Sequence, residues 1–331
     1  MRYTLHKLSI ELISRCNEHC VHCYIPNSRR KFNIEYNSLK SVFDQAKIIE
    51  VTTIELTGGE VFLHPEFTQI LKYANACGFT LRIYSNLTIL SNEHFSLLTK
   101  IKIQRIQTSV YSLDPVIHDA VTRKKGSLNS TMKNILLLKS ANIPVEICCP
   151  VITINKDEFL KVQDWAMKMN FKFYTDFSII GTQDLSGSNL KYRLSIEEET
   201  KFQAKLYERS PWEKKTFKSP SSSDKIYSEN LDTLAISAEG NYIPNVLRAD
   251  KILGNIWDNK LDDIWIHSEF LNILRELEYS QFPACLNCDA VEYCEKCYDV
   301  HYFETGNFFK QSKRLCESVK LTNQIVNYFQ P

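Results

Sequence analysis

No run of apolar residues in this 331-residue chain is long enough to cross a bilayer, and residues 1–15 contain no apolar core of the kind a secretory signal needs. A cytoplasmic chain is therefore expected. An excess of one charge is missing too: 40 basic residues face 39 acidic ones, a formal +1, which gives no broad attraction to nucleic acid or to an anionic membrane. Internal repeats and low-complexity tracts are absent. Cysteine is not scarce, with 11 residues, and in a reducing compartment these read as metal ligands and buried thiols rather than disulfides. The length suffices for one large domain and a smaller one without covalent staples.

Three of the cysteines lie close together in Arg15-Cys16-Asn17-Glu18-His19-Cys20-Val21-His22-Cys23-Tyr24, and this CxxxCxxC run has no fourth cysteine. Soft thiolates at short spacing favour iron-sulfur clusters or zinc. Structural zinc usually takes a fourth Cys or His and pairs its ligands with two more about a dozen residues on; none follow there, although His19 and His22 keep zinc open on composition. A cubane cluster normally takes four cysteines, so three leave one iron without a protein ligand and open for chemistry. Thr57-Gly58-Gly59-Glu60 follows at the end of the strand-like segment Ile54-Glu55-Leu56-Thr57. A cysteine loop of this spacing after a first strand, followed by a GGE turn after a second, resembles the radical S-adenosylmethionine (radical SAM) enzymes.

The alternation along the chain agrees with an α/β fold. Strand-like segments at residues 8–13, 53–56, 80–85, 105–110, 145–152 and 172–179 alternate with helical periodicity at 36–49, 65–77, 92–98, 129–140, 156–169 and 196–208. Six strands, each followed by a helix, predict a partial (βα)6 TIM-like barrel over residues 1–208, with reactive groups at the carboxyl ends of its strands. Residues 209–232, with Pro211, Pro220 and Ser221-Ser222-Ser223, read as a linker or mobile loop. Residues 233–331 then form a small cysteine-rich part, opening with a β-hairpin at 234–237 and 242–246 about Glu239-Gly240-Asn241 and continuing into a helix at 261–277.

The resemblance implies a mechanism and a set of residues. S-adenosylmethionine would be cleaved reductively to a 5′-deoxyadenosyl radical that abstracts hydrogen from the substrate. Cys16, Cys20 and Cys23 would hold the [4Fe-4S] cluster, and Gly58, Gly59 and Glu60 would receive the methionine amino group, the glycines by allowing close approach and the carboxylate by suiting an ammonium. His22, just before the third cysteine, would lie against the adenine, with Tyr24 beside it or anchoring the loop. Ser85, Asn86 and Ser109 occupy positions that bind the ribose or the methionine carboxylate, and Arg123 is a partner for that carboxylate in a register slightly displaced from the family pattern. On the fifth strand, alternation puts Glu146 and Cys148 toward the barrel interior, where a thiol could exchange a hydrogen atom; Cys77, Cys148 and Cys149 also read simply as buried small hydrophobes.

The tail carries Cys285, Cys288, Cys294, Cys297 and Cys316. With Gly240-Asn241-Tyr242-Ile243-Pro244, Leu253-Gly254-Asn255-Ile256 and Leu261-Asp262-Asp263-Ile264-Trp265 before it, this stretch resembles the SPASM extension of peptide maturases. A full SPASM domain holds two auxiliary clusters, one with a cysteine five residues after the glycine, but here Asn245 stands there and no cysteine occurs in residues 210–239. One auxiliary [4Fe-4S] cluster is therefore expected, on Cys285, Cys288, Cys294 and Cys316, with Cys297 a spare thiol, a substitute ligand or a hydrogen donor; a zinc knot is the alternative. The resemblance implies a ribosomally made precursor peptide as substrate, modified by crosslinking, oxidation or epimerisation. A small molecule such as an aminocyclitol sugar is the alternative substrate, and a non-catalytic iron-sulfur electron carrier the alternative of another class. With only fifteen residues before Cys16, no peptide-recognition domain is expected there; the substrate would bind directly or through a separate recognition protein. A flavodoxin or ferredoxin would serve as reductant.

Overall fold

The computed structural model describes residues 3–210, 220–226, 231–294, 298–307 and 309–330; most of the expected linker, and Cys297, lie outside them. In chain order the elements begin β1 (Lys7–Ile13), α1 (Tyr36–Ile48), β2 (Thr53–Gly58), α2 (Phe67–Ala76), β3 (Thr80–Tyr84), α3 (Asn92–Leu98), β4 (Ile103–Ser109), α4 (Pro115–Thr122) and α5 (Ser127–Ser140). They continue with β5 (Val145–Pro150), α6 (Phe159–Lys168), β6 (Lys172–Asp176), α7 (Ile196–Arg209), β7 (Thr233–Ile236), β8 (Asn241–Ile243) and β9 (Gly254–Asn255). The last five are α8 (Leu261–His267), α9 (Glu269–Arg275), α10 (Pro283–Leu286), α11 (Tyr298–Thr305) and α12 (Lys313–Phe329).

Two compact units result, one made of Met1–Tyr192 with Asp232–Ser268 and the other of Arg193–Leu231 with Glu269–Pro331. The first holds a nine-stranded sheet of order β6-β5-β4-β3-β2-β1-β7-β8-β9. Its strands β1 to β6 pair in parallel as neighbours, the arrangement of a partial (βα)6 barrel, and no pairing among the described residues closes it. Alternation sorts the two faces. Leu8, Ile10, Ile54, Leu56, Leu81, Ile83, Ile106 and Ile147 are wholly buried and build the layer under the helices.

The opposite face is polar and holds itself by charge. Glu55 accepts from the Ser9 hydroxyl at 2.9 Å and pairs with Lys7 at 3.5 Å, Arg82 at 3.1 Å and Arg105 at 3.6 Å. Arg105 reaches on to Glu146 at 3.2 Å, and Glu146 to Lys172 at 3.5 Å. One ladder of ion pairs thus crosses β1 to β6. The cations keep the Glu55 carboxyl below its usual range against the penalty of burial.

The compact units group some elements differently from the expected boundaries, and one expected helix is split. β7 pairs in parallel with β1, from Lys7↔Thr233 to Ile10↔Ile236, so β7 to β9 and α8 fall in the same compact unit as the barrel strands. Conversely α7 belongs to the tail unit, where Arg314 of α12 reaches the buried Glu199 of α7 and Thr322 donates to Gln203 at 3.1 Å. The single helix expected at 261–277 is two, parted at Ser268, whose ψ of 115° is extended. Helix α4 was not foreseen, although Asp114 accepting from the Val116 N–H at 2.8 Å, with Pro115 in the first turn, is an ordinary start signal.

Candidate functional site

The cysteine loop leaves the carboxyl end of β1 and is pinned by backbone hydrogen bonds to the last turn of α4. The His19 and Val21 N–H groups donate to the carbonyls of Thr122 and Val121, both at 3.0 Å, and the Cys23 N–H closes a turn on Cys20 at 3.1 Å. Cys16, Cys20 and Cys23 then line one cavity of about 450 Å³ at the carboxyl ends of the strands. Around it stand His22, Tyr24, Gly58, Gly59, Ser85, Asn86 and Ser109, all singled out in the sequence.

Gly58 and Gly59 have a physical reason beyond ligand approach. Gly58 sits at φ +138°, and a Cβ there would run into the carbonyl oxygen of Ile13; at Gly59 it would run into those of Ser14 and Arg15. The turn packs against the backbone at the root of the cysteine loop, bonded by Gly59 N–H to Ile13 at 2.6 Å and Glu60 N–H to Arg15 at 2.9 Å. Glu60 is fully buried and is absent from the cavity lining. Its carboxylate accepts from the Ser85 hydroxyl at 2.7 Å, the Asn86 N–H at 2.7 Å and the Phe62 N–H at 3.1 Å, while burial pushes its pKa up to about 7. Glu60 therefore fastens the end of β3 to the GGE turn. The Ser85 hydroxyl spends its proton on Glu60 and accepts from the Leu87 N–H at 2.9 Å, so in this arrangement it has no hydrogen to give a ribose.

His22 is half-buried inside the cavity rather than on an exposed loop, edge-on to Tyr111 with centroids 5.2 Å apart. Burial lowers its pKa to about 4, so the ring is neutral, and its Nδ1 is buried without a partner. Tyr24 also lines the cavity; burial, then the nearby Glu11, hold its hydroxyl well above the usual tyrosine range. Arg123 is placed elsewhere: it is exposed, ends α4 in the left-handed conformation at φ 54°, and donates to the Tyr192 hydroxyl at 3.2 Å. The slight displacement of its register puts it beyond the turn that pins the cysteine loop. Cys148 alternates onto the polar face with Glu146 but is not among the lining residues, and burial pushes its thiol up to about 12.

Sequence reasoning missed Arg30, Tyr111, His118, Val246 and Leu247, all of which line the cavity. Arg30 donates to the Glu18 carbonyl at 2.6 Å. The Asn245 side chain accepts from the Leu247 N–H at 3.0 Å, and the Val246 carbonyl accepts from Gln183 at 2.8 Å. At the position where the resemblance implies a cluster cysteine, an asparagine shapes the turn that brings two apolar residues to the cavity wall. No local signal points to these two, because β7 pairing with β1 is what delivers them.

The donor set fits an iron-sulfur cluster. Burial pushes the Cys16 thiol up to about 12 and the Cys20 thiol well above its usual range, with Glu18 adding to the latter. Thiolates at such a place require a compensating cation. Among the described residues no three Cys, His, Asp or Glu side chains converge as one metal ion would need. In the second unit, Cys285 and Cys288 pack against a core of Ile226, Leu274, Leu277, Tyr279, Phe282 and Val291. Cys294 follows a short turn at Val291–Tyr293, and the Cys316 thiol in the first turns of α12 is raised by burial and by the nearby Cys288.

Residues 10–166 match the Radical SAM superfamily and residues 229–289 match SPASM, an iron-sulfur cluster-binding domain. The chain thus carries a radical SAM domain followed by a SPASM domain, and these two domains imply S-adenosylmethionine, a [4Fe-4S] cluster and auxiliary iron-sulfur as cofactors. Among curated proteins it is 28% identical over 310 residues to the antilisterial bacteriocin subtilosin biosynthesis protein AlbA of Bacillus subtilis, covering 88% of this chain and 66% of that protein. It is 23% identical over 327 residues to the AdoMet-dependent heme synthase of Methanosarcina barkeri, covering 91% and 93%. Its fold is that of Streptococcus suis SuiB, solved with its precursor peptide SuiA, at a TM-score of 0.75, 14% identity and coverage of 95% of this chain and 76% of that one. A second solved structure, native anSMEcpe with AdoMet and the Cp18Cys peptide, gives a TM-score of 0.73 at 16% identity and 98% coverage of each chain. Among the described residues no helix is long and apolar enough to cross a membrane.

Proposed function

We propose that this protein is an enzyme that modifies a ribosomally made precursor peptide by radical chemistry. One observation carries the reading: the three thiols and the GGE glycines of a radical SAM chain line a single cavity at the carboxyl ends of its parallel strands. When bound, the cluster and S-adenosylmethionine supply a 5′-deoxyadenosyl radical for hydrogen abstraction. The chain's own residues do the rest. Cys16, Cys20 and Cys23 hold the cluster, Gly58 and Gly59 form the wall beside it, and His22, Tyr24 and Ser109 face the cofactor. Glu60 and Ser85 brace that wall from behind, and Val246 with Leu247 give an apolar surface to a substrate side chain. The tail cysteines Cys285, Cys288, Cys294 and Cys316 hold one auxiliary cluster. Similarity along most of the chain to a bacteriocin biosynthesis protein favours the peptide.

The test is anaerobic incubation of the reduced, cluster-loaded protein with S-adenosylmethionine and short peptides encoded next to its gene. Loss of two hydrogens from one peptide marks a crosslink or oxidation, and unchanged hydrogen count with deuterium uptake from solvent marks epimerisation. 5′-Deoxyadenosine formed with every such peptide unaltered would defeat the peptide reading. A small-molecule substrate would then stand, which the full-length similarity to a heme synthase supports.

A further inference from the structure

Asn86, two residues past β3, has every hydrogen-bonding group assigned. Its backbone N–H donates to Glu60 at 2.7 Å and its carbonyl accepts from the Thr131 hydroxyl at 2.8 Å, which fixes the residue in place. The Thr88 N–H, which can only donate, meets the Asn86 Oδ1 at 2.9 Å. That contact sets the amide orientation: the oxygen faces Thr88 and the NH2 faces the cysteine loop. One hydrogen of the NH2 goes to the Asn17 Oδ1 at 2.9 Å, and the second points to the Cys16 Sγ at 3.7 Å.

The neighbours lock this choice. Asn17 Nδ2 donates to the Thr88 hydroxyl at 2.7 Å, and that hydroxyl donates to the Asn86 Oδ1 at 2.7 Å. Asn86, Asn17 and Thr88 thus form a closed ring in which each donor has one acceptor, and flipping either amide would set donor against donor. Cys16 also accepts from the Glu18 N–H at 3.4 Å, so its sulfur faces two N–H groups, of which only the Asn86 amide comes from a side chain.

We propose that Asn86 is a positioning residue for the radical-generating cluster, donating a hydrogen bond to the Cys16 thiolate that raises the reduction potential of that cluster. This rests on the assignment of Cys16, Cys20 and Cys23 as its ligands. A hydrogen bond to a ligating sulfur withdraws electron density and favours the reduced cluster.

The experiment is an EPR-monitored redox titration of the anaerobically reconstituted full-length protein, following the [4Fe-4S] signal that changes when S-adenosylmethionine is added. At a potential fixed at the parent midpoint, Asn86→Ala should lower the reduced-to-oxidised ratio of that cluster by about threefold to tenfold, tenfold being 59 mV for one electron. Thr88→Val, which keeps the Thr88 N–H but removes the hydroxyl that closes the ring, should loosen the amide and move the ratio the same way by less, and Thr88→Ser should restore the parent value. The auxiliary signal should not move in any of them. An unshifted or more positive midpoint at parental iron content overturns the inference, as does an equal shift of both clusters. If Asn86→Ala loses iron, the Thr88 pair decides by the same criteria. A parent with no signal sensitive to S-adenosylmethionine would overturn the ligand assignment, and this inference with it.

Discussion

Single side chains at this site act mostly on one another. Gly59 shows it: a methyl group there meets the carbonyl oxygens of Ser14 and Arg15, which cannot move without shifting the cysteine loop. Gly59→Ala should cost about 3 kcal/mol and lower cluster occupancy, read as Tm and iron content; unchanged values would show the loop to be loose. Glu11 on β1 makes a different point. It is wholly buried, pairs with Arg29 at 3.3 Å through one oxygen, and leaves the other without a partner. Burial, against the pull of Arg29, raises its pKa from 4.5 to about 7. Between those two values the folded chain holds a proton that the unfolded chain has lost. Its contribution is therefore full below pH 4.5 and fades as pH rises through 7, a loss on the order of 3 kcal/mol. Urea unfolding of the metal-free protein should show stability falling from pH 5 to pH 8, and Glu11→Gln should flatten that fall. An equal slope in the variant would mean that Glu11 is already ionised.

Elements were legible in the sequence wherever their signal was local. The parallel strands alternate because one face packs on helices and the other carries the ion-pair ladder through Glu55, Arg105 and Glu146, so the period of two is strong. The cysteine loop and the GGE turn were legible as motifs, and with them the thiol-bearing and glycine part of the cavity lining. What was not legible depends on long-range pairing: β7 beside β1, Val246 and Leu247 at the cavity, and the break at Ser268, which has neither Pro nor Gly. The place of Arg123 was not legible either, because a motif position says nothing of backbone conformation: it is left-handed and donates to the Tyr192 hydroxyl. Seating of α12 on α7 is also long-range. Arg314 and Ser318, one turn apart on α12 and each two residues from Cys316, both converge on the buried Glu199. Glu199→Ala strands Arg314 and should destabilise the second unit by about 3 kcal/mol, with loss of auxiliary iron. Full auxiliary iron in that variant would show Cys316 to be held by other contacts.

At the scale of the whole molecule, the two cysteine sets fall in different compact units, the three of the barrel in one and Cys285, Cys288, Cys294 and Cys316 in the other. Their metallation should be separable. Alanine at Cys16, Cys20 and Cys23 together should abolish 5′-deoxyadenosine formation and leave the auxiliary iron, measured by iron analysis and EPR; Cys294→Ala should do the reverse and retain some cleavage. Loss of all iron from either variant would show that the units load as one.

The pairing of β7 with β1 also has a consequence in time. Strand β1 is made first, yet its second neighbour begins at Thr233. At roughly 5–20 residues per second, β1 waits on the order of 10–45 s during synthesis with one edge bare. Such an edge invites pairing with other chains. The wait is also an interval in which the cysteine loop and GGE turn already exist while Val246 and Leu247 do not, so the newborn chain presents its thiols through a doorway that the finished protein has walled.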